Sequence, residues 1–355
     1  MKTSLGRVLV TGGAGFIGCA VSQVLAPLAQ RYCVVDALHP QVHPSGKRPS
    51  AQSLAAELVV SDIAVRDTWE DLLDQFQPDV VLHLAAETGT AQSLSESARH
   101  ARVNVLGTAE MLDSFGRHGI RPERLVLVSS RAVYGEGEWR RTDGTSYYPG
   151  QRSHRQLLTG NWEFADSSPV LSTALSTWPL PTSVYGATKL AQEHVSGAWC
   201  RSYDIGITTL RLQNVYGPGQ SLNNPYTGIV TLFSRLAATG ASIPVYEDGK
   251  ITRDFVYIDD VVSAIVEAMT ASRVNGLVLD VGSGAGCTVL ALAQMIAETY
   301  GAPSPRITGQ FREGDVRFAA CDIEPTRRAL GWVPRWRLSD GLAQVRAWME
   351  STGDV

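Results

Sequence analysis

Short apolar runs alternate with longer amphipathic stretches through the first third of the chain. Arg7-Val8-Leu9-Val10, Tyr32-Cys33-Val34-Val35, Leu58-Val59-Val60, Val80 to Leu84 and Leu125 to Val128 read as strands. Compact runs rich in β-branched residues fit a buried parallel sheet. Helical patterns separate them, from Cys19 to about Leu28, from near Val65 to a stop before Pro78, and from Ser97 to Phe115. Proline lacks a backbone donor and ends a helix. This alternation predicts an α/β protein with a Rossmann-like, doubly wound parallel sheet. Residues 38 to 53, with Pro40, Pro44, Gly46, Pro49 and Ser50, predict a surface loop.

With 355 residues, 44% of them hydrophobic, the chain can bury a large core and suffices for one big domain or two smaller ones. A formal net charge of -4 gives no general electrostatic reason to bind nucleic acid or an anionic membrane. Any anionic ligand must therefore be held by local cations. Cys19, Cys33, Cys200, Cys287 and Cys321 are scattered with no Cys-x-x-Cys, so neither a disulfide framework nor a metal site is expected, and a reducing cytoplasm fits. Lys2 and Arg7 with the small-residue run behind them imitate a signal peptide, but Gly12, Gly13, Gly15 and Gly18 break the apolar segment. No apolar stretch is long enough to span a bilayer.

The first strand runs directly into Thr11-Gly12-Gly13-Ala14-Gly15-Phe16-Ile17-Gly18. Glycines let the backbone turn tightly and approach a pyrophosphate, whose charge sits at the N-terminus of the following helix. The second strand ends at Asp36, an acid placed to accept hydrogen bonds from an adenosine ribose and to repel a 2′-phosphate. No arginine follows it immediately, so NAD is favoured over NADP; the alternative is a plain glycine turn with a solvated Asp36. Asp62-Ile63 is positioned to meet the adenine, and Asp62 serves equally well as a cap for the helix near Val65. Leu84, Ala85 and Ala86 end the fourth strand, with alanines small enough for a cofactor to lie across them. Asn104, between Val103 and Val105, reads either as a cofactor-site amide or as a solvent-facing asparagine. Ligands of an open parallel sheet gather at the carboxyl ends of its strands. There Ser130 can hydrogen-bond a reacting oxygen or merely cap a turn. Tyr185 and Lys189 stand four positions apart and share a helix face. A neighbouring cation lowers a phenol pKa that is ordinarily about 10, which would fit Tyr185 to take a proton from a hydroxyl.

Together these residues resemble the extended short-chain dehydrogenases/reductases of the NAD-dependent epimerase/dehydratase family, which work on nucleotide sugars. Thr11 to Gly18 is similar to the family's dinucleotide fingerprint, His83 to Ala86 to its small-residue strand end, Ser130 to Gly135 to its active-site strand, and Tyr185 with Lys189 to its catalytic pair. Arg211 to Gln220, Arg253 to Asp260, Arg312 to Arg317 and Leu330-Gly331-Trp332 match further signatures. The resemblance implies that Ser130, Tyr185 and Lys189 are catalytic. It implies NAD contacts from Gly12, Gly15, Phe16, Ile17, Gly18, Asp36, Asp62, Ile63, Leu84, Ala85, Ala86, Asn104, Tyr185 and Lys189. It also implies that Ser130 binds the substrate, that Asn214 contacts the sugar diphosphate, and that Arg253 and Arg312 bind phosphate and Asp315 the nucleoside ribose. Guanidinium forks suit phosphate oxygens; a salt bridge from Arg253 to Asp259 is the competing reading.

Two departures refine the picture. Dehydratases of this family carry acids directly after the active-site Ser or Thr, whereas Arg131 and Ala132 stand here, which argues against a 4,6-dehydratase. Ser130 and Tyr185 are also 55 positions apart, unusually far. The extra segment, Glu136 to Pro181, carries Trp139, Tyr147, Tyr148, Trp162 and Trp178 and reads as a lid or as an ordered surface excursion or interface pad. That insertion, with Gln213 to Leu222 running into Asn224-Pro225-Tyr226-Thr227-Gly228, resembles a subgroup acting on dTDP-6-deoxyhexoses, which includes dTDP-rhamnose 4-epimerases and dTDP-4-keto-6-deoxyglucose reductases.

Leu279-Asp280-Val281-Gly282-Ser283-Gly284-Ala285-Gly286 imitates a methyltransferase glycine loop, but only 69 residues follow it, too few for the rest of such a sheet. It reads as a turn before a helix from Val289 to about Tyr300. The expected organisation is an NAD-binding domain over 1–220, to which 252–282 returns, and a smaller discontinuous substrate lobe over 221–355, mainly 221–251 and 283–355. Trp332, Trp336 and Trp348 read as packing residues of that lobe. The resemblance as a whole implies a cytoplasmic, homodimeric NAD-dependent nucleotide-sugar 4-epimerase, paired through the helices near 97–116 and 185–201, that works by transient C4 oxidation of a dTDP-6-deoxyhexose such as dTDP-L-rhamnose. The alternatives are an NAD(P)H-dependent 4-ketoreductase using the same residues and a non-catalytic, nucleotide-sensing member.

Overall fold

The structure is a computed structural model and describes residues 5–43, 56–221, 228–271 and 275–352. Its central sheet has seven parallel strands, β1 (Arg7–Thr11), β2 (Arg31–Asp36), β3 (Glu57–Val60), β4 (Val80–His83), β5 (Arg124–Ser130), β6 (Gly206–Leu212) and β7 (Leu277–Val281). Their spatial order is β7-β6-β5-β4-β1-β2-β3. Chain order reverses between β1 and β4, the point where a doubly wound sheet opens a crevice for ligands. Side chains alternate across a strand. Val8 and Val10 accordingly enter one core with Val34, Leu82 and Val126, while Leu9 enters the other with Cys33, Val35, Val81 and Leu127. Helices cover both faces, so most strand positions are apolar, which accounts for the apolar runs.

Helix α1 (Phe16–Leu25) lies on the first face and α2 (Arg66–Leu73), α3 (97–117) and α4 (Val184–Ser202) on the second. α1 begins three residues before the predicted start, because the glycine turn is tighter than the spacing suggested. A Cβ on Gly18 would stand 2.4 Å from Gly13 Cα. α3 is interrupted by a π segment, Arg102–Leu106, which carries Asn104. Of the loop predicted over 38–53, residues 44–53 lie outside the described residues, as do Leu222 and Asn224 to Thr227.

A second, smaller sheet joins Asn214–Tyr216, Thr252–Tyr257, Gly286–Thr288 and Phe318–Ala319. From it the chain returns to the central sheet through α5 (Ile258–Thr270) and β7. The segment that imitates a methyltransferase loop is a turn and a short strand leading into α6 (Val289–Tyr300), as its length required. Trp332 is buried and donates to the Asp260 carbonyl at 3.1 Å, and Trp336 packs on Tyr257 with ring centres 4.1 Å apart. No helix among the described residues is long and apolar enough to cross a membrane.

The insertion is not a bare loop. Trp139–Arg141 pairs antiparallel with Ser146–Tyr147 and with Ser167–Pro169, and buried Trp139 packs edge-on against Phe164 at 4.8 Å. A buried charge cluster bolts this small sheet to the C-terminal region. Arg152 donates to both carboxylate oxygens of Glu247 at 2.8 Å and to the Asp315 carbonyl at 2.9 Å. Arg317 reaches Glu247 at 3.0 Å, Asp248 at 2.7 and 2.8 Å, and Glu163. Opening the segment as a lid would strand these charges, so it acts as a fixed wall.

Glu136, in the same cluster, accepts the Arg317 N–H at 3.0 and 2.9 Å, yet burial pushes its carboxyl up to about 7 against that bond and the pull of Arg152. A carboxyl whose folded pKa exceeds its unfolded value stabilises fully below the unfolded pKa and loses that contribution as pH rises through the folded one. Glu136→Gln, which stays neutral, should match the wild type at pH 5 and exceed it by on the order of 2 kcal/mol at pH 8 in urea unfolding. A variant weaker at pH 8 than at pH 5, relative to wild type, would show instead that the ionised carboxylate stabilises the fold.

Candidate active site

A cleft of about 1020 Å³ opens at the carboxyl ends of the strands where chain order reverses. Its floor is the glycine turn. Gly12 has φ +69°, and a Cβ there would lie 2.7 Å from Ala85 N and Cα. Gly15 caps α1, and a Cβ on it would meet only the Gly12 carbonyl at 3.4 Å, which leaves the helix N-terminus open to the cleft. Asp36 is fixed at the rim, its two oxygens accepting from Ala14 N at 3.0 Å and Leu38 N at 2.9 Å.

All the expected cofactor contacts line this cleft except Asp62 and Asn104. Asp62 accepts from Ala64 N at 2.8 Å and pairs with Arg102 at 2.7 Å, while Val65 occupies the N-cap of α2. Asp62 therefore holds the turn that presents Ile63, and the capping expectation is corrected. Asn104 is fully buried, not solvent-facing. Its amide accepts from Glu87 N at 2.7 Å and donates to Glu87 O at 3.1 Å and Thr188 Oγ1 at 2.9 Å, stitching the cleft rim to α4.

A second cleft, about 420 Å³, shares Gly89, Ser130, Tyr185, Gln213 and Asn214 with the first. The two chambers thus meet at Ser130 and Tyr185. Ser130 both caps the turn after β5, accepting from Ala132 N at 3.1 Å, and hydrogen-bonds Tyr185. Burial raises the Tyr185 pKa, and the bond to Ser130 is what opposes it. The expected depression by Lys189 is not found. Lys189 is buried, with Nζ donating to the Val128 carbonyl at 2.8 Å and to Gln192, and burial lowers its pKa to about 7 against the pull of Glu193. Gln192 in turn donates to His83 Nε2 at 2.9 Å, and His83 Nδ1 meets Thr11 Oγ1 at 2.6 Å. Burial and then Lys189 push His83 down to about 3, so a neutral imidazole bonded on both sides braces the floor beneath Tyr185.

The second cleft presents Arg131, Arg253 and Arg312, with Asp315 as the one acid among its described lining residues. Burial raises Asp315, and Arg253 and then Arg312 draw it back. Arg253 donates to the Thr252 carbonyl at 2.8 Å and makes no ion pair with Asp259 among the described residues. Beyond these charges stands an apolar wall that sequence reasoning missed, Leu232, Phe233 and Leu236 from the helix Ile229–Ala238 with Tyr246 opposite. The only signal for it was the apolar spacing of that helix. Arg131 was read merely as a missing acid.

Such a sheet, with a phenol at the junction of two chambers and a glycine cradle under the larger, defines a dinucleotide-dependent α/β enzyme. Comparison with known proteins narrows this class: the profile of the NAD dependent epimerase/dehydratase family matches residues 8–156 and 158–282, and the chain belongs to that family. It is 54% identical over 343 residues to dTDP-L-rhamnose 4-epimerase of Burkholderia thailandensis, spanning 97% of this chain and 94% of that protein. Among solved structures, UDP-glucose 4-epimerase of Thermotoga maritima with UDP-glucose is 30% identical with a TM-score of 0.80, covering 97% of this chain and 99% of that one. UDP-glucose 4-epimerase of Thermus thermophilus in complex with NAD is 27% identical with a TM-score of 0.75, covering 97% and 99%. The protein is an enzyme and NAD is its cofactor. The first cleft fits NAD: side chains at Gly12 and Gly18 would obstruct the cradle, and Asp36 stands where a ribose needs an acceptor.

Proposed function

We propose that the protein is an NAD-dependent nucleotide-sugar 4-epimerase whose substrate is a dTDP-6-deoxyhexose such as dTDP-L-rhamnose. The observation that carries this reading is the meeting of the two chambers at Ser130 and Tyr185, one shaped for a dinucleotide and one holding three guanidinium groups beside an apolar wall. The glycine turn, Asp36, Ile63 and the Leu84 to Ala86 rim hold NAD, which when bound supplies reversible hydride acceptance. Tyr185 takes the proton of the C4 hydroxyl, with Ser130 bonded to the phenol oxygen, and gives it back once the ketone has turned. Lys189 keeps the floor of the site fixed through Val128 and Gln192. Arg253 and Arg312 hold the diphosphate together with Asn214, and Asp315 holds the nucleoside ribose, so the anchor stays fixed while the sugar moves.

The absence of an acid beside Ser130 supports epimerisation over dehydration, since Arg131 and Ala132 cannot protonate a leaving hydroxyl. On this reading residues 1–220 with 252–282 bind the dinucleotide, and 221–251 with 283–355 cover the sugar nucleotide. Exposed Leu106 on α3 supports pairing of two cytoplasmic subunits through α3 and α4. The test is incubation with dTDP-L-rhamnose and catalytic NAD, separating the sugar nucleotides while following NADH absorbance. A C4 epimer without net NADH is expected. Consumption of NADH with a dTDP-4-keto-6-deoxyhexose and no epimer would replace the reading with a reductase.

A further inference from the structure

Buried guanidinium groups away from the clefts are matched by carboxylates. Arg152 and Arg317 meet Glu247 at 2.8 and 3.0 Å, and Arg211 meets Glu193 at 2.7 Å. The three arginines of the second cleft are different: among the described residues, Arg131, Arg253 and Arg312 make no ion pair. Removing a cation from water without a counter-ion costs free energy. Arg131 and Arg253 are half-buried and bear that cost, Arg312 stands exposed beside them, and three unpaired guanidinium groups in one chamber of a chain with net charge -4 mark a site completed by an anion from outside.

Arg253 and Arg312 already have a role in the proposed function, whereas Arg131 has none. It follows Ser130 directly at the end of β5 and is half-buried in the chamber wall. Its Nη2 donates to the Gly135 carbonyl at 2.6 Å, which orients the guanidinium plane. The other donors of the fork make no hydrogen bond to a described residue. Arg131 and Arg253 also repel one another, and Glu136 only partly offsets this. Arg131 thus sets a second guanidinium within reach of Arg253, directly after Ser130.

We infer that Arg131 binds the sugar-linked phosphate of the nucleotide-diphosphate substrate, sharing it with Arg253. The inference rests on the proposed function. It places a guanidinium fork on the phosphate nearest the bond about which the ketone must turn, so that the sugar swings while its point of attachment is held. A planar fork fits two phosphate oxygens at once, which a lysine cannot do.

The test is calorimetric titration of the NAD-loaded protein with dTDP and with dTMP, which lacks the outer phosphate. Arg131→Met should weaken dTDP roughly 10- to 100-fold, the range for hydrogen bonds to charged groups, and leave dTMP within about threefold. Retained dTMP binding reports an intact fold in the same experiment. Arg131→Lys should recover only part of the dTDP affinity. Wild-type dTDP affinity in Arg131→Met would overturn the inference, as would equal losses for dTDP and dTMP in both variants. If the wild type prefers UDP to dTDP, the proposed nucleoside fails, but the same comparison of UDP with UMP still decides the role of Arg131.

Discussion

Tyr185→Phe is expected to lower kcat by roughly 10²- to 10⁴-fold, the range for losing a positioned general acid-base group. The substitution removes one hydroxyl and keeps the ring, which packs edge-on to His100 with centres 6.5 Å apart. Nothing in the glycine cradle or around Arg253 depends on that hydroxyl, so titrations with NAD and dTDP should give wild-type affinities. A fall in kcat with binding intact is the signature of an interaction made mainly in the transition state. The environment adds a constraint. Burial raises the phenol pKa and Ser130 supplies the opposing hydrogen bond, while Lys189 faces Val128 and Gln192. On the proposed function the phenol oxygen exchanges the proton, and neither Gln213 nor Asn214, which share the junction of the chambers, can take that part. Near-normal turnover of Tyr185→Phe would remove Tyr185 from the chemistry.

The sheet was readable in the sequence because strands buried on both faces favour apolar residues at successive positions, and five short apolar runs carry that mark. The glycine turn and Asp36 were equally readable, since backbone needs there exclude side chains. Other features were not, for physical reasons. Asn104 and Asp62 are polar residues whose partners, Glu87, Thr188 and Arg102, lie far along the chain, so nothing local tells a buried tie from a ligand contact. The spacing of Tyr185 and Lys189 identified the pair, but the direction of the ammonium depends on the Val128 carbonyl, 61 positions away. The insertion read equally as a lid and as an ordered excursion because aromatics among prolines and glycines form no periodic pattern. Its anchors, Arg152 to Glu247 and Glu136 to Arg317, span 95 and 181 positions.

That anchoring supports the second prediction. Glu247 is almost wholly buried and sits at φ +51°, a backbone conformation costly for a residue with a side chain. Two guanidinium groups hold its carboxylate there, Arg152 through both oxygens and Arg317 through one. Arg152→Met keeps most of the side-chain volume but removes the bidentate partner and the donor to the Asp315 carbonyl. Breaking a buried pair from one side leaves an uncompensated charge, at a cost of about 3–5 kcal/mol, and denaturant unfolding should show a loss of that order. Arg317 keeps Asp248 and Glu163 as partners even without Glu247. The double variant Arg152→Met with Glu247→Met should therefore regain much of the loss, because neither partner of the bidentate pair is left stranded and Glu136, 3.7 Å from Arg152, keeps the Arg317 N–H. Since Asp315 lies in the second cleft and the glycine cradle in the first, weakened dTDP binding with unchanged NAD binding should accompany the single variant. An Arg152→Met protein as stable as the wild type would mean that the insertion is held by its aromatic contacts, with the charge cluster contributing little.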